Sequence, residues 1–293
     1  MKLKEAFEPF FIWQKKVGMA PKTIKNDQYY LYGAVAQSVG DIELADLKKT
    51  DVAKVIEAGR NHGQYGPLRG VCMLRKLLKY LKESGHEIPF RWQDIRLPSV
   101  AHRQVEYLTE QELEKLLDSI NLENPAGLRT RALFEVLYAT GMRIGEAVNL
   151  NRQDIDWDKK EVLITNVKSK AQEKVYLTDR SAYWLKRYIE SRYDREAALF
   201  VAKGRRLSRE TSRKHLRYHL AVAAAAAGIQ KRITHHLFRK TFVTHLLQHK
   251  ADIMAVKDLA RHRSERTTLQ NYAGVNKERS KAIHAGIMNN LLA

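Results

Sequence analysis

The feature that most constrains this chain is an interruption in its hydrophobic pattern between residues 88 and 105. On both sides of it apolar residues recur at helical spacing, whereas this stretch has no clear period and contains Pro89 and Pro98. Such a break predicts an extended linker between two regions that fold separately. A chain of 293 residues is long enough for two domains of ordinary size. We expect a first domain over 1–88, a linker over 89–107 and a second domain over 108–293.

The first region is predicted to be a bundle of four short amphipathic helices. Its apolar residues recur on one helical face around 7–13, 23–39, 47–58 and 66–81. Thr50 is the candidate N-cap of the third helix, because its hydroxyl could accept a hydrogen bond from a backbone N–H of the first turn. Each helix must bury its apolar stripe, and packing the four stripes together does so.

The second region is predicted to mix helices with a β-hairpin. Thr109 is followed three residues later by Glu112, the pattern of a capping box at a helix start. Between Val162 and Leu177 two short apolar runs flank a polar turn, which predicts a hairpin. Further helices are predicted over 128–140, 144–150, 181–192, 208–227, 240–249, 252–260 and 278–292. The fold class is therefore mainly α with a small β-hairpin or sheet, an α+β arrangement.

The chain is strongly basic, with 52 Lys and Arg against 33 Asp and Glu and a formal net charge of +19. This excess favours a polyanionic partner such as nucleic acid, although lysines scattered over a solvated surface would give the same composition. Cys72 is the only cysteine, which excludes an intrachain disulfide and a zinc site built on several thiolates. No run approaches the length of about 18 apolar residues that a membrane span needs, and we expect a soluble, cytoplasmic protein.

The first of three local motifs places an arginine directly after a glycine turn. In the segment ATGMRIGE, over residues 139–146, Arg143 follows Gly141 and precedes an apolar helix. A helix N-terminus favours anions, and the guanidinium fork matches the oxygens of a phosphate. The alternative is a surface arginine that pairs with Glu146 three residues later.

The second motif, HHLFRKTFVTHLL over residues 235–247, places His236 and Arg239 on one face of a helical turn. A histidine beside an arginine can provide a proton donor or acceptor and a fixed cation at one phosphate. Metal binding is the alternative, because His245 and His249 follow at i, i+4 spacing. No HExxH order or carboxylate partner accompanies them, so we expect no metal site and a packed or capping role for His245.

The third motif, LARHRSERTTLQNY over residues 259–272, contains His262 and Tyr272. Taken alone, a single tyrosine on a helix is most often half-buried core. In this order, however, the three motifs resemble those of the tyrosine recombinase (phage integrase) family, and the resemblance extends over nearly the whole chain.

Matching residue by residue, the resemblance assigns the family's catalytic set to Arg143, Lys168, His236, Arg239, His262 and Tyr272. Lys170 is the alternative to Lys168, because a one-residue change in the hairpin turn would exchange the two lysines. Glu146 matches an accessory acidic position that orients neighbouring groups.

The resemblance implies a site-specific recombinase that cleaves and rejoins DNA through a 3′-phosphotyrosyl intermediate, without metal, ATP or another cofactor. It also implies an N-terminal core-binding, SAM-like bundle and a mostly helical catalytic domain that together form a clamp around DNA. The expected partner is double-stranded DNA with specific recombination sites, bound by a homo-tetramer on two duplexes; off DNA we expect a monomer or dimer. The helix over 278–292 would dock on a neighbouring protomer. The chain resembles a simple Xer-type recombinase or the integrase of a small mobile element more than a large phage integrase, and the need for an accessory protein is left open.

Nine basic residues are candidate DNA contacts, with a solvated helix face as the alternative. Phosphate contacts of this kind would position the duplex without reading its sequence. The candidates are Lys22, Lys25, Arg69, Arg75 and Lys76 in the first region and Arg205, Arg206, Arg209 and Arg213 in the second.

Two departures from the family's pattern concern the third motif. The residue before the second histidine is commonly glycine in the family and is Arg261 here. The step from His262 to Tyr272 is one residue longer than usual, which leaves the loop geometry before Tyr272 open. Two other functions also stay open: a type IB topoisomerase-like enzyme that relaxes DNA, and a catalytically inactive DNA-binding architectural protein.

Overall fold

The computed structural model describes residues 1–100, 105–165, 171–202, 204–207 and 209–261, without the side chains of residues 209–216. The chain divides into two units, residues 1–102 and 103–293, called here the first and the second unit. In the part of the chain so described, no helix is both long and apolar enough to cross a membrane.

The first unit is helical, as the spacing of its apolar residues predicts. Its helices are α1 (Phe7–Lys16), α2 (Pro21–Tyr30), α3 (Gln37–Val39), α4 (Asp51–Arg60) and α5 (Gly66–Glu83). A π-helical stretch, Leu31–Ala36, joins α2 to α3, and short 3₁₀ turns lie at Leu3–Ala6, Leu44–Asp46 and Trp92–Asp94.

Aromatic side chains of α1 and leucines of α5 form the core of the first unit, where Phe7, Phe11, Leu74 and Leu77 have no exposed surface. Burying each such side chain contributes about 1.5–3 kcal/mol relative to exposure. Thr50 is the N-cap residue of α4, as predicted, but its side chain makes no capping hydrogen bond. Instead, the Asp51 carboxylate accepts the backbone N–H of Lys48 at 2.9 Å and closes the turn before α4.

Much of the stretch expected to be a linker packs against one unit or the other. Phe90 and Trp92 lie against the core of the first unit, and Ile95 is buried in it. At the other end, Val105 packs against a small buried cluster of the second unit. Large apolar side chains explain this packing, since they gain more from burial than an exposed connector would.

The second unit is mostly helical and has two small sheets. Its helices are α6 (Glu110–Asp118), α7 (Pro125–Thr140), α8 (Ile144–Ala147), α9 (Asp179–Glu190), α10 (Arg209–Ala226), α11 (His235–Gln248) and α12 (Ile253–Ala260). The Thr109 hydroxyl and the Glu112 carboxylate form the predicted capping box at the start of α6. A 3₁₀ turn, Arg152–Asp154, leads into the first strand. This mainly helical fold with small sheets confirms the predicted fold class.

The predicted hairpin consists of β2 (Glu161–Thr165) and β3 (Gln172–Tyr176), paired antiparallel with Val162 opposite Val175. A two-residue strand, β1 (Ile155–Asp156), extends this sheet on the far side of β2. Strands β4 (Val201–Ala202) and β5 (Arg205–Arg206) form a separate antiparallel pair. Two-residue strands carry too little alternation for the sequence to predict them.

Helix α7 lies at the centre of the second unit, because it is buried along most of its length. Phe134 of α7 packs against Phe238 of α11, with ring centroids 5.0 Å apart. Helix α11 begins at His235 and not near residue 240 as predicted, because its first turn contains two polar histidines that do not extend the apolar stripe. The end of α7 and the start of α11 together position the candidate site.

Candidate active site

The turn after α7 is held tightly against α11. Gly141 ends α7 with φ +57°, a left-handed conformation that glycine adopts without a steric penalty. A Cβ atom at this position would lie 2.7 Å from Cε1 of Phe242 on α11. Both the backbone angle and the close approach therefore require glycine, and they fix the chain that leads to Arg143.

A buried carboxylate orients Arg143. One oxygen of Glu146 accepts the backbone N–H of Arg143 at 2.8 Å, and the other accepts its Nη1 at 3.0 Å. The side chain of Glu146 is 2 % exposed, whereas that of Arg143 is 45 % exposed. The ion pair between Arg143 and Glu146, which was the alternative to a functional role for Arg143, therefore exists. Because Glu146 is buried and Arg143 is half-exposed, the pair fixes the direction of a guanidinium that still faces solvent.

Glu146 is held in its charged form. Burial alone would raise the pKa of its carboxyl group, but Arg261 and the hydrogen bonds from Arg143 outweigh burial and leave that pKa below its usual value. The predicted helix over 144–150 ends at Ala147, so α8 has a single turn. A helix this short has little macrodipole, and the local preference for an anion rests on the arginines.

Arg239 lies on α11 and is buried beside the same turn. Its Nη1 donates to the carbonyl of Gly141 at 2.7 Å, and its Nη2 donates to the carbonyl of Ala260 at the end of α12. Carbonyl oxygens orient a guanidinium without cancelling its charge. The structure thus brings Arg239 to the turn that carries Arg143. Two arginines that bind the same phosphate would need to lie close together in this way.

His236 lies in the first turn of α11, one turn before Arg239. Its side chain is exposed, and its ring centroid lies 4.4 Å from that of His235. His236 and Arg239 are therefore one helical turn apart on α11, as expected. The histidine is exposed and the arginine is buried.

Arg261, which in the sequence is only a departure from the family's pattern, lies in the site. Its Nη2 donates to Glu146 at 2.8 Å, and its Nε lies 3.7 Å from Oε2 of Glu173 on β3. Its side chain is 7 % exposed. Burial lowers the pKa of its guanidinium, and the two carboxylates oppose that shift. The only signal in the sequence was an arginine where the family commonly has glycine.

The histidines considered for metal binding have other partners. His245 is buried, and its ring contacts the carbonyl of Leu108 at 2.8 Å and the hydroxyl of Tyr138 at 2.9 Å. His249 contacts Glu110 at 2.7 Å. Within the described ranges, no group of three or more His, Cys, Asp or Glu side chains could hold a metal ion. His245 is thus a packed histidine, one of the two roles expected for it.

Several predicted site residues lie outside the described residues: Lys168, Lys170, His262, Tyr272 and the helix predicted over 278–292. The side chains of Arg209 and Arg213, on α10, are likewise outside them. Described residues adjoin both of the stretches that contain Lys168, Lys170 and His262. Glu173, three residues after Lys170, faces Arg261, which directly precedes His262.

Among the candidate DNA contacts of the first unit, Lys22 and Lys25 are exposed on α2. Lys76 instead lies 3.3 Å from the buried carboxylate of Asp27, so it compensates an internal charge.

The other two candidates of the first unit lie over aromatic rings. The guanidinium of Arg69 is 5.9 Å from the ring centroid of Tyr30, and that of Arg75 is 5.4 Å from the ring of Trp92. Stacking of this kind leaves the charge of each arginine available to a phosphate.

In the second unit the two described candidates differ. Arg205 is exposed on β5. Arg206 donates to the backbone carbonyls of Val148 at 3.2 Å and Leu150 at 3.1 Å, and to the side chain of Asn151. Its guanidinium therefore ties β5 to the segment after α8.

Comparison with known proteins shows the family to which the chain belongs. The profile of the phage integrase family matches residues 106–279, more than half of the chain. The tyrosine recombinase XerD of Proteus mirabilis is 32 % identical over 230 residues, which cover 74 % of this chain and 70 % of that protein. The tyrosine recombinase XerD of Listeria monocytogenes serovar 1/2a is 29 % identical over 295 residues, 96 % of this chain and 97 % of that protein.

A solved structure shares the fold at lower identity. The Tn1549 transposon integrase in complex with transposon right-end DNA has a TM-score of 0.76 at 16 % identity, covering 98 % of this chain and 99 % of that one. The family profile and the curated relatives place the chain in the class of enzymes that break and rejoin DNA strands. The chain belongs to the phage integrase family of tyrosine recombinases, and the family resemblance of its three motifs is confirmed.

Proposed function

We propose that this protein is a site-specific DNA recombinase in which Tyr272 attacks a DNA phosphate and forms a 3′-phosphotyrosyl intermediate. The observation that carries this proposal is the hydrogen bond from Arg239 to the carbonyl of Gly141, two residues before Arg143. A guanidinium from a distant part of the chain is therefore held against the turn that carries Arg143. Family membership supplies the reaction that such a pair would serve.

The electrostatics of the reaction explain why two arginines are needed. A phosphodiester is an anion, and more charge develops on its nonbridging oxygens in the transition state. Arg143 and Arg239 would bind those oxygens through charge-assisted hydrogen bonds, and their fixed orientation avoids a reorganisation cost during the reaction. Glu146 keeps Arg143 in place.

The roles of the attacking group, the base and the proton donor are assigned from the resemblance to the tyrosine recombinase family. The phenol of Tyr272 has an ordinary pKa of about 10, so it needs a base, and His236 would accept its proton. The phenolate oxygen forms the bond to phosphorus as the bond to the 5′ oxygen breaks. Lys168, or Lys170 in its place, would give a proton to that 5′ oxygen, and His262 would donate a hydrogen bond to the phosphate. The ester keeps the energy of the broken bond, so rejoining needs neither ATP nor metal.

The assembly is proposed from the same family. Double-stranded DNA with specific recombination sites would be the substrate, held by a clamp of the domains over 1–88 and 108–293, connected by 89–107. A homo-tetramer on two duplexes would exchange the strands; the solved relatives include a lambda integrase tetramer bound to a Holliday junction. Recombination requires access to DNA, and we propose that the enzyme acts in the cytoplasm.

A nicked duplex that traps the covalent intermediate tests the function. The full chain is first used to select a binding site from random-sequence DNA, and that site is then synthesised with a nick placed so that the cleaved fragment diffuses away. We expect a denaturant-stable protein–DNA adduct that forms in the presence of a chelator. Tyr272→Phe should abolish the adduct, because it removes only the attacking oxygen.

Tyr193→Phe is the matched control, since Tyr193 is a fully exposed tyrosine of the same unit. It should form the adduct at the normal rate. A selected site that is bound but never cleaved would support the architectural alternative. Relaxation of supercoiled DNA by monomers, without strand exchange between paired sites, would support the topoisomerase alternative.

A further inference from the structure

Arg261 occupies a backbone position that suits glycine. It ends α12 with φ +52° and ψ +50°, in the left-handed region. Residues with a Cβ atom are strained there, and glycine is the usual solution at the end of a helix. An arginine at this position therefore needs a compensating role for its side chain.

The side chain of Arg261 is turned into the site and away from solvent. It is 7 % exposed, and its Nη2 donates to Glu146 at 2.8 Å. Its Nε lies 3.7 Å from Glu173, and neither Nε nor Nη1 has a hydrogen-bond partner among the residues that the structure describes. Removing a guanidinium from water is costly, so a buried arginine with unused donors marks a place where positive charge is needed.

One further contact and the position of Arg261 in the sequence show what this arginine can hold in place. Arg239 donates to the carbonyl of Ala260, the residue immediately before Arg261. The residue immediately after Arg261 is His262. The chain that enters the third motif is thus attached on one side to α11 and on the other to Glu146.

Arg261 also changes what Glu146 does to Arg143. A carboxylate whose only cationic partner was Arg143 would cancel much of the charge intended for DNA. Because Glu146 shares its Oε2 between the backbone N–H of Arg143 and Nη2 of Arg261, a second cation offsets its charge. Arg143 can then be oriented by Glu146 while it still attracts a phosphate.

We propose that Arg261 is a positioning residue for DNA cleavage, which fixes the Glu146 carboxylate and the chain before His262 so that Arg143 is correctly presented to the phosphate. This role rests on the proposed function, and it belongs to a residue at which this chain departs from the family's common glycine. Arg261 acts through Glu146 and need not touch DNA.

The central test is Arg261→Gly in the full chain, measured by single-turnover cleavage of the selected nicked duplex and, separately, by equilibrium binding to the same DNA. Glycine relieves the backbone strain, so a loss of activity cannot come from that source. We expect cleavage to slow about 100-fold, the cost of a small misplacement of reacting groups. Binding should be unchanged, because the lost charge is internal. Arg261→Lys keeps a cation near Glu146 and should recover part of the rate.

Lys250→Gly is the matched control. Lys250 also has a positive φ, +64°, and is exposed just after α11. Its replacement by glycine relieves the same kind of strain and removes one positive charge, but it leaves the contacts of Glu146 intact. It should cleave at the normal rate.

A double-mutant comparison tests whether Arg261 acts through Glu146. In a Glu146→Gln background, Arg261→Gly should slow cleavage by much less than about 100-fold, because the group it positions is already altered. The proposal is overturned if Arg261→Gly cleaves as fast as the unmodified chain, if it loses binding in step with cleavage, or if its effect is undiminished in that background. Failure of the unmodified chain to form an adduct would instead reject the proposed function.

Discussion

Thr241→Val is expected to destabilise the second unit by breaking a hydrogen bond between α11 and the segment that precedes α6. The Thr241 hydroxyl is fully buried and accepts the backbone N–H of Leu108 at 3.0 Å. The carbonyl of Leu108 can only accept, so His245 donates to it from Nε2 and accepts the hydroxyl of Tyr138 at Nδ1. Both backbone groups of a buried leucine thus depend on two side chains of the helix that carries Arg239.

The magnitude follows from what valine leaves behind. Valine has nearly the shape of threonine, so no cavity forms, but the N–H of Leu108 becomes a buried donor without a partner. Such a group costs about 1–3 kcal/mol, and we expect a loss near the middle of that range. For a unit of this size, about 2 kcal/mol lowers the melting temperature by roughly 4–8 °C.

Thr244→Val provides a matched control one turn further along α11. Thr244 is 1 % exposed, and its hydroxyl has no hydrogen-bond partner among the described residues. Replacing that hydroxyl with a methyl group should leave stability unchanged or raise it by up to about 1 kcal/mol, since a buried polar group without a partner is removed. The two variants make the same chemical change on the same helix and differ only in the hydrogen bond.

Calorimetric melting of the full chain measures the stability, and hydrogen exchange of the peptide that contains Leu108 reports on the bond itself. In Thr241→Val the Leu108 amide should lose protection, and in Thr244→Val it should keep it. The reasoning is refuted if Thr241→Val melts at the same temperature as the unmodified chain, or if both valine variants are destabilised equally.

Three further outcomes test other parts of the second unit. Glu135→Ala should cost about 1.5–3 kcal/mol in urea unfolding, because it removes the buried carboxylate 2.9 Å from Arg131 and leaves that buried guanidinium only the exposed carboxylate of Asp118 among the described residues; a loss under about 1 kcal/mol would contradict this. Gly141→Ala should slow cleavage and lower the melting temperature, because its Cβ would clash with Phe242; normal values for both would refute the steric argument. Burial lowers the pKa of His245, so the unfolded chain binds its proton more readily and stability should fall as the pH drops below about 6.5. His245→Gln should flatten that decline, as measured by urea midpoints, and an unchanged slope would exclude this histidine as its source.

Local signals in the sequence predicted much of the fold. The capping box of Thr109 and Glu112 lies within four residues, so no distant contact is needed to recognise it. The spacing of His236 and Arg239 likewise depends only on helical geometry. The hairpin was predicted from two short apolar runs around a polar turn, and in the structure Val162 and Ile164 of β2 face the core.

What the sequence did not reveal depends on tertiary contacts. Arg261 and Glu146 are far apart in the chain, and only the folded arrangement makes them partners. Lys76 resembles any other basic helix residue until the structure places Asp27 beside it. The roles of Lys168, His262 and Tyr272 stay predictions, because these residues lie outside the described parts of the chain.

The contacts of Arg143, Arg239 and Arg261 explain how several positive charges can be fixed near one turn, where an anion could bind. Arg239 donates to two backbone carbonyl oxygens, which orient it and carry no formal charge of their own. Arg143 is oriented by a carboxylate, which gives a more directional bond but subtracts a charge. Arg261 adds a positive charge from a buried position, where both Glu146 and Glu173 lie near it, so the three arginines exceed the two carboxylates by one. With glycine at position 261 these charges would sum to zero, and the same phosphate would then meet a weaker field from an otherwise similar turn.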